Sequence, residues 1–465
     1  MQVSERDLLI IGAGPGGYVA AVRAAQLGLS VTVVEKAAPG GVCLNWGCIP
    51  SKNLIHQADA FNSLEHMAEV GVSIDRETLN YALVQQRSRK VVKTLTNGVA
   101  GLLKRNKVEY LTGEAKLVSA TEVLVDEQQS LQAKKIIVAT GSRPMHVPGF
   151  EFDEDRVLSS TGILALESLP VSLVILGAGA IGCEFAYVMN SFGVKVILVE
   201  ALDHLLPTED VDVCAVLENS FSKSGIAVHT STRASVLSRY SDHVTVSLTS
   251  ADGQSTEVSA ERALVVFGRS PNTQSLGLEA VGVALDKRGF IPVGDYGQTS
   301  TPGIYAIGDV TTTPALAHVA SAEGELVVEH IAGIKTGPKA IDPALVPSAI
   351  YCEPQVAGFG LREQSAERAG DAFKTFSFPY HGAGKSIAIE KPEGLVKVIC
   401  DAKTDEILGA HVVGHDATEL IHEILLAKSA ELLPEDIATM VHAHPTLSEA
   451  TMEAMRGIYS QPIHG

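Results

Sequence analysis

Two cysteines five residues apart, Cys43 and Cys48, are the first place in this 465-residue chain where chemistry suggests itself. They lie in Gly40-Gly-Val-Cys43-Leu-Asn-Trp-Gly-Cys48-Ile-Pro-Ser-Lys52, between glycines and a proline. In a regular helix five residues rise about 7.5 Å and turn through roughly 500°, which sets the two Cα atoms roughly 8–9 Å apart, beyond the ~6.8 Å that a disulfide spans. If the pair bridges, the backbone between them is not a straight helix. Gly47 loosens it, and Pro50 removes the N–H that would bond back to Trp46. The segment reads as a distorted helix start able to hold a small, reactive disulfide. Lys52, one turn past Cys48, brings a cation that favours a thiolate. Two plainer readings stand beside this one. The cysteines could be unpaired packing residues. They could bind zinc, although a zinc site needs a second ligand pair, which the sequence lacks.

A second candidate lies near the C-terminus, in His442-Ala-His444-Pro445-Thr446-Leu-Ser-Glu449. Exchange between thiols and disulfides needs a group that moves a proton near neutral pH, and imidazole suits this. A carboxylate beside it orients the ring and stabilises its charged form. His444 and Glu449 supply both types. The alternative is structural: Thr446-x-x-Glu449 also spells a capping box at a helix start. His442 reads as packing or support.

The elements that would position these groups repeat. Leu8–Ile11 is a short apolar run ending in Gly12-Ala-Gly14-Pro-Gly-Gly17. An Ala-rich stretch follows to Gly28, then the run Val31–Val34 ending in Glu35. Strand, glycine-rich turn, helix, strand and acid form a dinucleotide-binding pattern. The glycines admit a pyrophosphate to the helix N-terminus, and the acid accepts from a ribose hydroxyl. The pattern recurs as Leu173–Leu176, Gly177-Ala-Gly179-Ala180-Ile181-Gly182, and Val194–Val199 ending in Glu200. Gly12 to Glu35 and Gly177 to Glu200 are both 23 residues. Two copies imply two nucleotides. Leu54, Ala58 and Phe61, and then Val84–Leu103, carry helical periodicity. The basic residues Arg87, Arg89, Lys90, Lys93, Lys104, Arg105 and Lys107 read as a solvated face.

The cysteine segment resembles the redox-active signature of the flavoprotein disulfide reductases, the family that includes dihydrolipoyl dehydrogenase and glutathione reductase. The His444-Pro445 segment resembles that family's catalytic motif, and the likeness runs over essentially the whole chain. Val42 departs from it where Thr is expected. Tyr351-Cys-Glu-Pro354-Gln355 departs where a Thr/His/Asp-Pro-Glu version is usual. The resemblance implies an α/β fold: two Rossmann-like nucleotide-binding domains, for FAD and NAD, plus a C-terminal α+β dimerisation domain. The expected FAD domain is discontinuous, over 1–145 and 271–343. The NAD domain is inserted at 146–270, and the interface domain covers 344–465. In the last of these, Val396–Cys400 and Ile407–Val413 read as strands, Ala417–Leu426 and Leu433–Val441 as helices.

The same resemblance implies the site. Cys43 is the interchange thiol, Cys48 the thiolate against the flavin, and His444 with Glu449 the acid–base pair. Lys52 pairs with Glu184 beside the flavin. FAD is expected on Gly12, Gly14, Gly17, Glu35, Lys52, Gly113, Thr140, Gly141, Ser142, Asp309, Ala315, Leu316, Ala317 and His318. NAD is expected on Gly177, Gly179, Ala180, Ile181, Gly182, Glu184, Glu200 and Gly268. An acid at Glu200 bonds a free ribose 2′-hydroxyl and repels a 2′-phosphate, which selects NAD(H). The implied activity is oxidation of dihydrolipoamide on a carrier protein, by a homodimer serving a 2-oxo acid dehydrogenase or glycine cleavage complex. No lipoyl-type domain is read ahead of residue 1. Alternatives are a glutathione-type or mercuric reductase, and a non-catalytic assembly subunit. The tail Ile458-Tyr-Ser-Gln-Pro-Ile-His-Gly lacks the cysteine pair that mercuric reduction needs.

Composition sets outer limits. A net charge of −18 argues against nucleic acid and anionic membranes as partners. No apolar run nears the ~20 residues of a membrane span, and Glu5, Arg6 and Asp7 lead straight into the first strand rather than a secretory signal. Cys183, Cys214, Cys352 and Cys400 are scattered in apolar surroundings, as packing thiols in a reducing cytoplasm would be. No metal site is expected.

Overall fold

The computed structural model describes residues 5–334 and 337–464. The chain divides into two compact units. One comprises Met1–Asn53, Ala82–Met145 and Gly268–Ile341. The other comprises Leu54–Tyr81, His146–Phe267 and Asp342–Gly465.

The first unit is built on β1 (Arg6–Ile11), α1 (Pro15–Gln26) and β2 (Val31–Glu35). Leu8–Ile11 of β1 and Val31–Val34 of β2 are buried on both faces, as in parallel sheets flanked by helices. Leu8 and Ile10 enter one core while Leu9 and Ile11 enter another. β1 is flanked in parallel by β2 and by Gln129–Val138, with Ile11 in register with both Val34 and Val138. The strands Glu109–Thr112 and Ile304–Ala306 extend this parallel set within a 7-stranded sheet. The strands' carboxyl ends therefore finish level, and Gly12, Glu35, Thr140 and Asp309 emerge at one edge, where open α/β sheets bind ligands. α1 packs on the helix Ala317–Ile331 through glycines. A Cβ on Gly324 would lie 2.7 Å from the Gly16 carbonyl oxygen, and one on Gly16 would lie 2.9 Å from that of Ala320. After β2 come α2 (Gly41–Trp46), α3 (Cys48–Glu69) and α4 (Tyr81–Arg105).

The second unit contains the repeat. Ser172–Leu176, the helix Ala180–Ser191 and Lys195–Val199 form its start, in a 5-stranded parallel sheet. The hydrogen bonds at the turn match the first copy. Gly177 donates to Val199 O at 2.9 Å and Val266 to Leu176 O at 2.9 Å. In the first copy Gly12 donates to Val34 O at 2.8 Å and Ala139 to Ile11 O at 2.8 Å. The same unit holds a 5-stranded antiparallel sheet from Ser348–Ile350, Gln355–Gly360, Phe373–Pro379, Leu395–Asp401 and Ile407–Gly414. The helices Ala417–Ser429 and Ser448–Ile458 bury Ile421, Ile424, Ala450 and Ala454 against it.

Residues 54–81 group with this second unit. The Phe61 and Tyr81 rings sit 5.5 and 5.6 Å from that of Phe192, and Asn62 Nδ2 donates to Tyr187 Oη and Ser191 Oγ. The segments 146–267 and 342–465 group together too. The Lys397 ammonium, 2 % exposed, binds Asp210 at 2.8 Å, Asp212 at 2.7 Å, and Glu363. Among the described residues, no helix is long and apolar enough to cross a membrane.

Candidate active site

The cysteine segment breaks where the glycine stands. α2 ends at Gly47, which has φ −152° and ψ −112°, and α3 begins at Cys48. Both residues are thiols, half-buried, and their side chains are hydrogen-bonded to each other. The hydrogen bond with Cys48 pushes the Cys43 thiol well above its ordinary pKa. Burial and the Cys48 charge add to this, while the Cys48 amide and the Lys52 ammonium oppose it.

This segment is fastened to the first glycine turn. Gly40 N donates to Ala13 O at 2.8 Å, and a Cβ on Gly41, whose φ is +57°, would lie 2.7 Å from the Gly14 Cα. Asn45 Nδ2 donates to Pro39 O and Gly41 O at 3.1 and 2.8 Å. Arg89 leaves the solvated face expected of α4: its Nη1 donates to Asn45 O at 2.7 Å and its guanidinium lies over Trp46, 4.2 Å from the ring centroid. Val42, in place of the expected Thr, is 41% exposed.

The first glycine turn suits a dinucleotide. Gly12 has φ +105°, and a Cβ there would lie 2.3 Å from Ala139 O. One on Gly17 would meet Gly12 O at 2.0 Å. Gly14 instead faces open space, and α1 starts without a side-chain cap, leaving its first amides to a ligand. Glu35 closes β2 with one oxygen on Ala13 N and the other on Ala37 N, each at 2.8 Å. A cleft of about 260 Å³ beside it is lined by Gly12, Glu35, Lys36, Gly113, Thr140 and Arg143, among others. Gly113 N donates to Glu35 O at 3.0 Å. Thr140 and Gly141 are tied to Asn272, whose amides donate to both carbonyls. Ser142 Oγ donates to Asp309 at 2.6 Å. Ala315 and Leu316 lead into the helix that begins at Ala317 and carries His318 on its first turn, beside the N-terminal half of α1. These residues fit the FAD that the sequence implied.

The second turn has the same geometry. Gly177 has φ +105°, a Cβ on Gly182 would meet Gly177 O at 2.0 Å, and Gly179 faces open space ahead of Ala180 and Ile181. Glu200 accepts from Ala178 N at 2.8 Å and from Leu202 N at 3.0 Å, as Glu35 does from its own turn. These residues fit the second dinucleotide, NAD. Glu184 is buried on the helix that follows and accepts from Tyr351 N at 3.2 Å. Gly268 falls in the first unit, where its carbonyl takes the Met145 N–H at 3.0 Å.

At the other candidate, His444 Nδ1 lies 3.0 Å from Glu449 Oε1, and Glu449 Oε2 accepts from Thr446 N at 2.9 Å. Glu449 thus serves both readings at once, orienting the imidazole and closing the turn before the helix Ser448–Ile458. The second half of a reciprocal box is not made: the helix takes Leu447 as its N-cap with no side-chain cap, and Thr446 Oγ1 donates to Ala443 O. Burial alone would raise the Glu449 carboxyl; the Thr446 amide and the His444 ring outweigh it and hold it below the usual value. The His444 side chain is 76 % exposed, open to a reactant, whereas His442 is buried against Glu423 at 2.9 Å. The cysteines belong to the first unit and His444–Glu449 to the second.

Some polar groups had no sequence signal. Arg269 donates from Nε to Ser142 Oγ at 2.6 Å and lies 3.6 Å from Asp309. Burial lowers its pKa, while Asp309 and then the Cys48 charge act to raise it. It follows Gly268 directly and lies opposite Ser142–Pro144 in a two-stranded ribbon, which brings it to Ser142. The Tyr351–Gln355 departure also finds its partners. Glu353 binds His415 at 3.5 Å and Lys391 at 3.4 Å, and Gln355 Oε1 accepts from the Thr418 amide and hydroxyl at the start of the helix Ala417–Ser429.

Comparison with known proteins agrees with this geometry. Residues 6–324 match the pyridine nucleotide-disulphide oxidoreductase family model, and residues 346–455 match the dimerisation domain of the same family. The chain is 42% identical over 463 residues to a dihydrolipoyl dehydrogenase of Geobacillus stearothermophilus, covering 99% of this chain and 97% of that one. It is 41% identical to the mitochondrial dihydrolipoyl dehydrogenase of Pisum sativum, covering 99% and 93%. Among solved structures, LpdA from Mycobacterium tuberculosis superposes with a TM-score of 0.89 at 28% identity, over 97% of this chain and 99% of that one. The flavoprotein disulfide reductase RclA from Escherichia coli superposes with a TM-score of 0.86 at 27% identity, covering 97% and 99%. The chain belongs to the pyridine nucleotide-disulphide oxidoreductases and, within them, to the dihydrolipoyl dehydrogenase family.

Proposed function

We propose that this chain oxidises protein-bound dihydrolipoamide to lipoamide and passes two electrons to NAD⁺, with Cys43 and Cys48 as the relay. The observation that carries it is the fastening of the cysteine pair onto the first dinucleotide turn, through Gly40–Ala13 and Gly41–Gly14. FAD, when bound, would supply a two-electron carrier from the cysteine pair to NAD⁺.

The chain's own residues handle sulfur and protons. In the oxidised enzyme Cys43 and Cys48 share a disulfide. A substrate thiolate attacks the Cys43 sulfur, the Cys43–Cys48 bond breaks, and Cys48 leaves as a thiolate near Lys52. The second substrate thiol then attacks the mixed disulfide, closing lipoamide and releasing Cys43 as a thiol. His444, oriented by Glu449, takes protons from the substrate thiols and returns one to Cys43 as it leaves, so one of the two substrate protons ends on Cys43 and one on the imidazole; an imidazole in this role is worth about 10²–10⁴-fold in rate. The sum is dihydrolipoamide plus NAD⁺ to lipoamide plus NADH and a proton. Glu200 accepts the ribose hydroxyls of NAD and disfavours a 2′-phosphate.

The dimerisation-domain match supports a homodimer in which each site takes its cysteines from one copy and His444–Glu449 from the other. A lipoyl-bearing carrier protein of a 2-oxo acid dehydrogenase or glycine cleavage complex is the partner, and the buried Cys183, Cys214, Cys352 and Cys400 suit a cytoplasmic setting. The test is a steady-state assay of dihydrolipoamide with NAD⁺ and NADP⁺ and of oxidised glutathione with NADH and NADPH. Turnover confined to dihydrolipoamide with NAD⁺ is expected. Turnover only with NADPH and oxidised glutathione would overturn the assignment.

A further inference from the structure

α4 reaches the redox segment through two consecutive residues, one on each side of the break at Gly47. Arg89 holds the first side, with Nη1 on Asn45 O at 2.7 Å and its guanidinium over Trp46. Ser88, buried, holds the second, donating from Oγ to Pro50 O at 3.2 Å. The carbonyl that Arg89 takes lies at the C-terminal end of α2, where a cation is favoured. A helix of six residues cannot hold its own shape in water, so α2 depends on such ties. The stretch carrying Cys43 and the stretch carrying Cys48 are thus anchored to neighbouring positions on one 25-residue helix.

We propose that Ser88 and Arg89 are positioning residues that fix the separation of the Cys43 and Cys48 sulfurs and thereby set the dithiol–disulfide equilibrium of the pair. This rests on reading the pair as the redox centre. Closing the bridge joins the two sulfurs and releases two protons and two electrons. In exchange with oxidised dithiothreitol the electrons and protons pass to that disulfide, which becomes the dithiol. Holding two thiols in contact favours closure by raising their effective concentration. Freeing α2 lowers it and moves the pair toward the dithiol.

The experiment equilibrates the holoenzyme with reduced and oxidised dithiothreitol in graded ratios, without NAD⁺. Free thiols are then trapped by alkylation, and the Cys43–Cys48 peptide is scored as bridged or dialkylated by mass spectrometry. Arg89→Met keeps the aliphatic stem but loses the hydrogen bond and the stacked charge. It is expected to shift the equilibrium constant toward the dithiol by about tenfold, roughly 30 mV for a two-electron couple. Arg89→Lys restores a cation without the planar fork and is expected to fall between. Ser88→Ala shifts in the same direction by less. Flavin content and melting temperature are measured alongside, and if Arg89→Met fails to load flavin the other two variants carry the test. A wild-type couple that stays within twofold in every folded variant overturns the positioning role alone. A wild type that never forms the bridge overturns the redox-centre reading as well.

Discussion

At the scale of single residues, Glu449 shows why two readings of one motif need not compete. One carboxylate oxygen closes the backbone at Thr446 while the other orients His444. His444→Gln is expected to lower dihydrolipoamide turnover by about 10²–10⁴-fold with flavin content unchanged, measured as kcat in the NAD⁺ assay. Glu449→Gln keeps an acceptor for the Thr446 amide but removes the charge, so a smaller loss with little change in melting temperature is expected. Equal losses in both would mean that the imidazole does not act without the Glu449 carboxylate. The depressed Thr446-bound carboxyl also predicts that its contribution to stability holds above the ordinary carboxylate range and fades as pH falls through its lowered value.

At the scale of elements, the glycine turns leave no room for a side chain at Gly12, Gly17, Gly177 and Gly182. Gly17 and Gly182 each leave 2.0 Å between a built Cβ and a carbonyl oxygen of the first glycine of the turn. Backbone cannot yield there without moving the helix from the strand. Gly17→Ala is therefore expected to purify with little flavin, read from visible absorbance. Gly182→Ala is expected to keep its flavin while raising KM for NAD⁺. The turn Tyr351–Gln355 carries a pH dependence. The Glu353 hydrogen bond raises the His415 pKa, so that pair's stabilisation is fully present below about 6.5, the ordinary histidine value, and fades as pH rises through the raised value. His415→Gln should flatten that part of the stability–pH curve. The amplitude should stay under about 1 kcal/mol because the ring is partly solvated.

These elements were legible in the sequence to unequal degrees. The glycine turns, the terminal acids and the cysteine pair announce themselves because the chemistry fixes their spacing within a few tens of residues. The break at Gly47 was legible for the same reason. Arg89 was misplaced on a solvated face, since helical periodicity reports which side is apolar and not that a guanidinium reaches a carbonyl 44 positions back. The Glu353–His415 pair and the grouping of residues 54–81 with Phe192 join positions that carry no local signal. Only the folded chain brings them together.

At the scale of the whole molecule, one nucleotide-binding plan is used twice, down to matching hydrogen bonds from Glu35 and Glu200 to the turns they close. The second copy is joined to the C-terminal sheet through a buried charge. Lys397 meets Asp210, itself without exposed surface, together with Asp212 and Glu363. Removing one partner of such a set strands the others, at a cost of about 3–5 kcal/mol. Lys397→Met should therefore lower the denaturation midpoint markedly. A change under about 1 kcal/mol in urea unfolding would show that water or relaxation compensates Asp210.

The measurement closest to the central claim is the rate of dihydrolipoamide oxidation by NAD⁺ in wild type and in Cys48→Ser, each with its flavin content matched. The wild type should turn over, and the variant should fall to background while still binding both nucleotides. A Cys48→Ser enzyme oxidising dihydrolipoamide at a rate comparable to wild type would contradict the account, because the electrons would then be travelling without the sulfur pair.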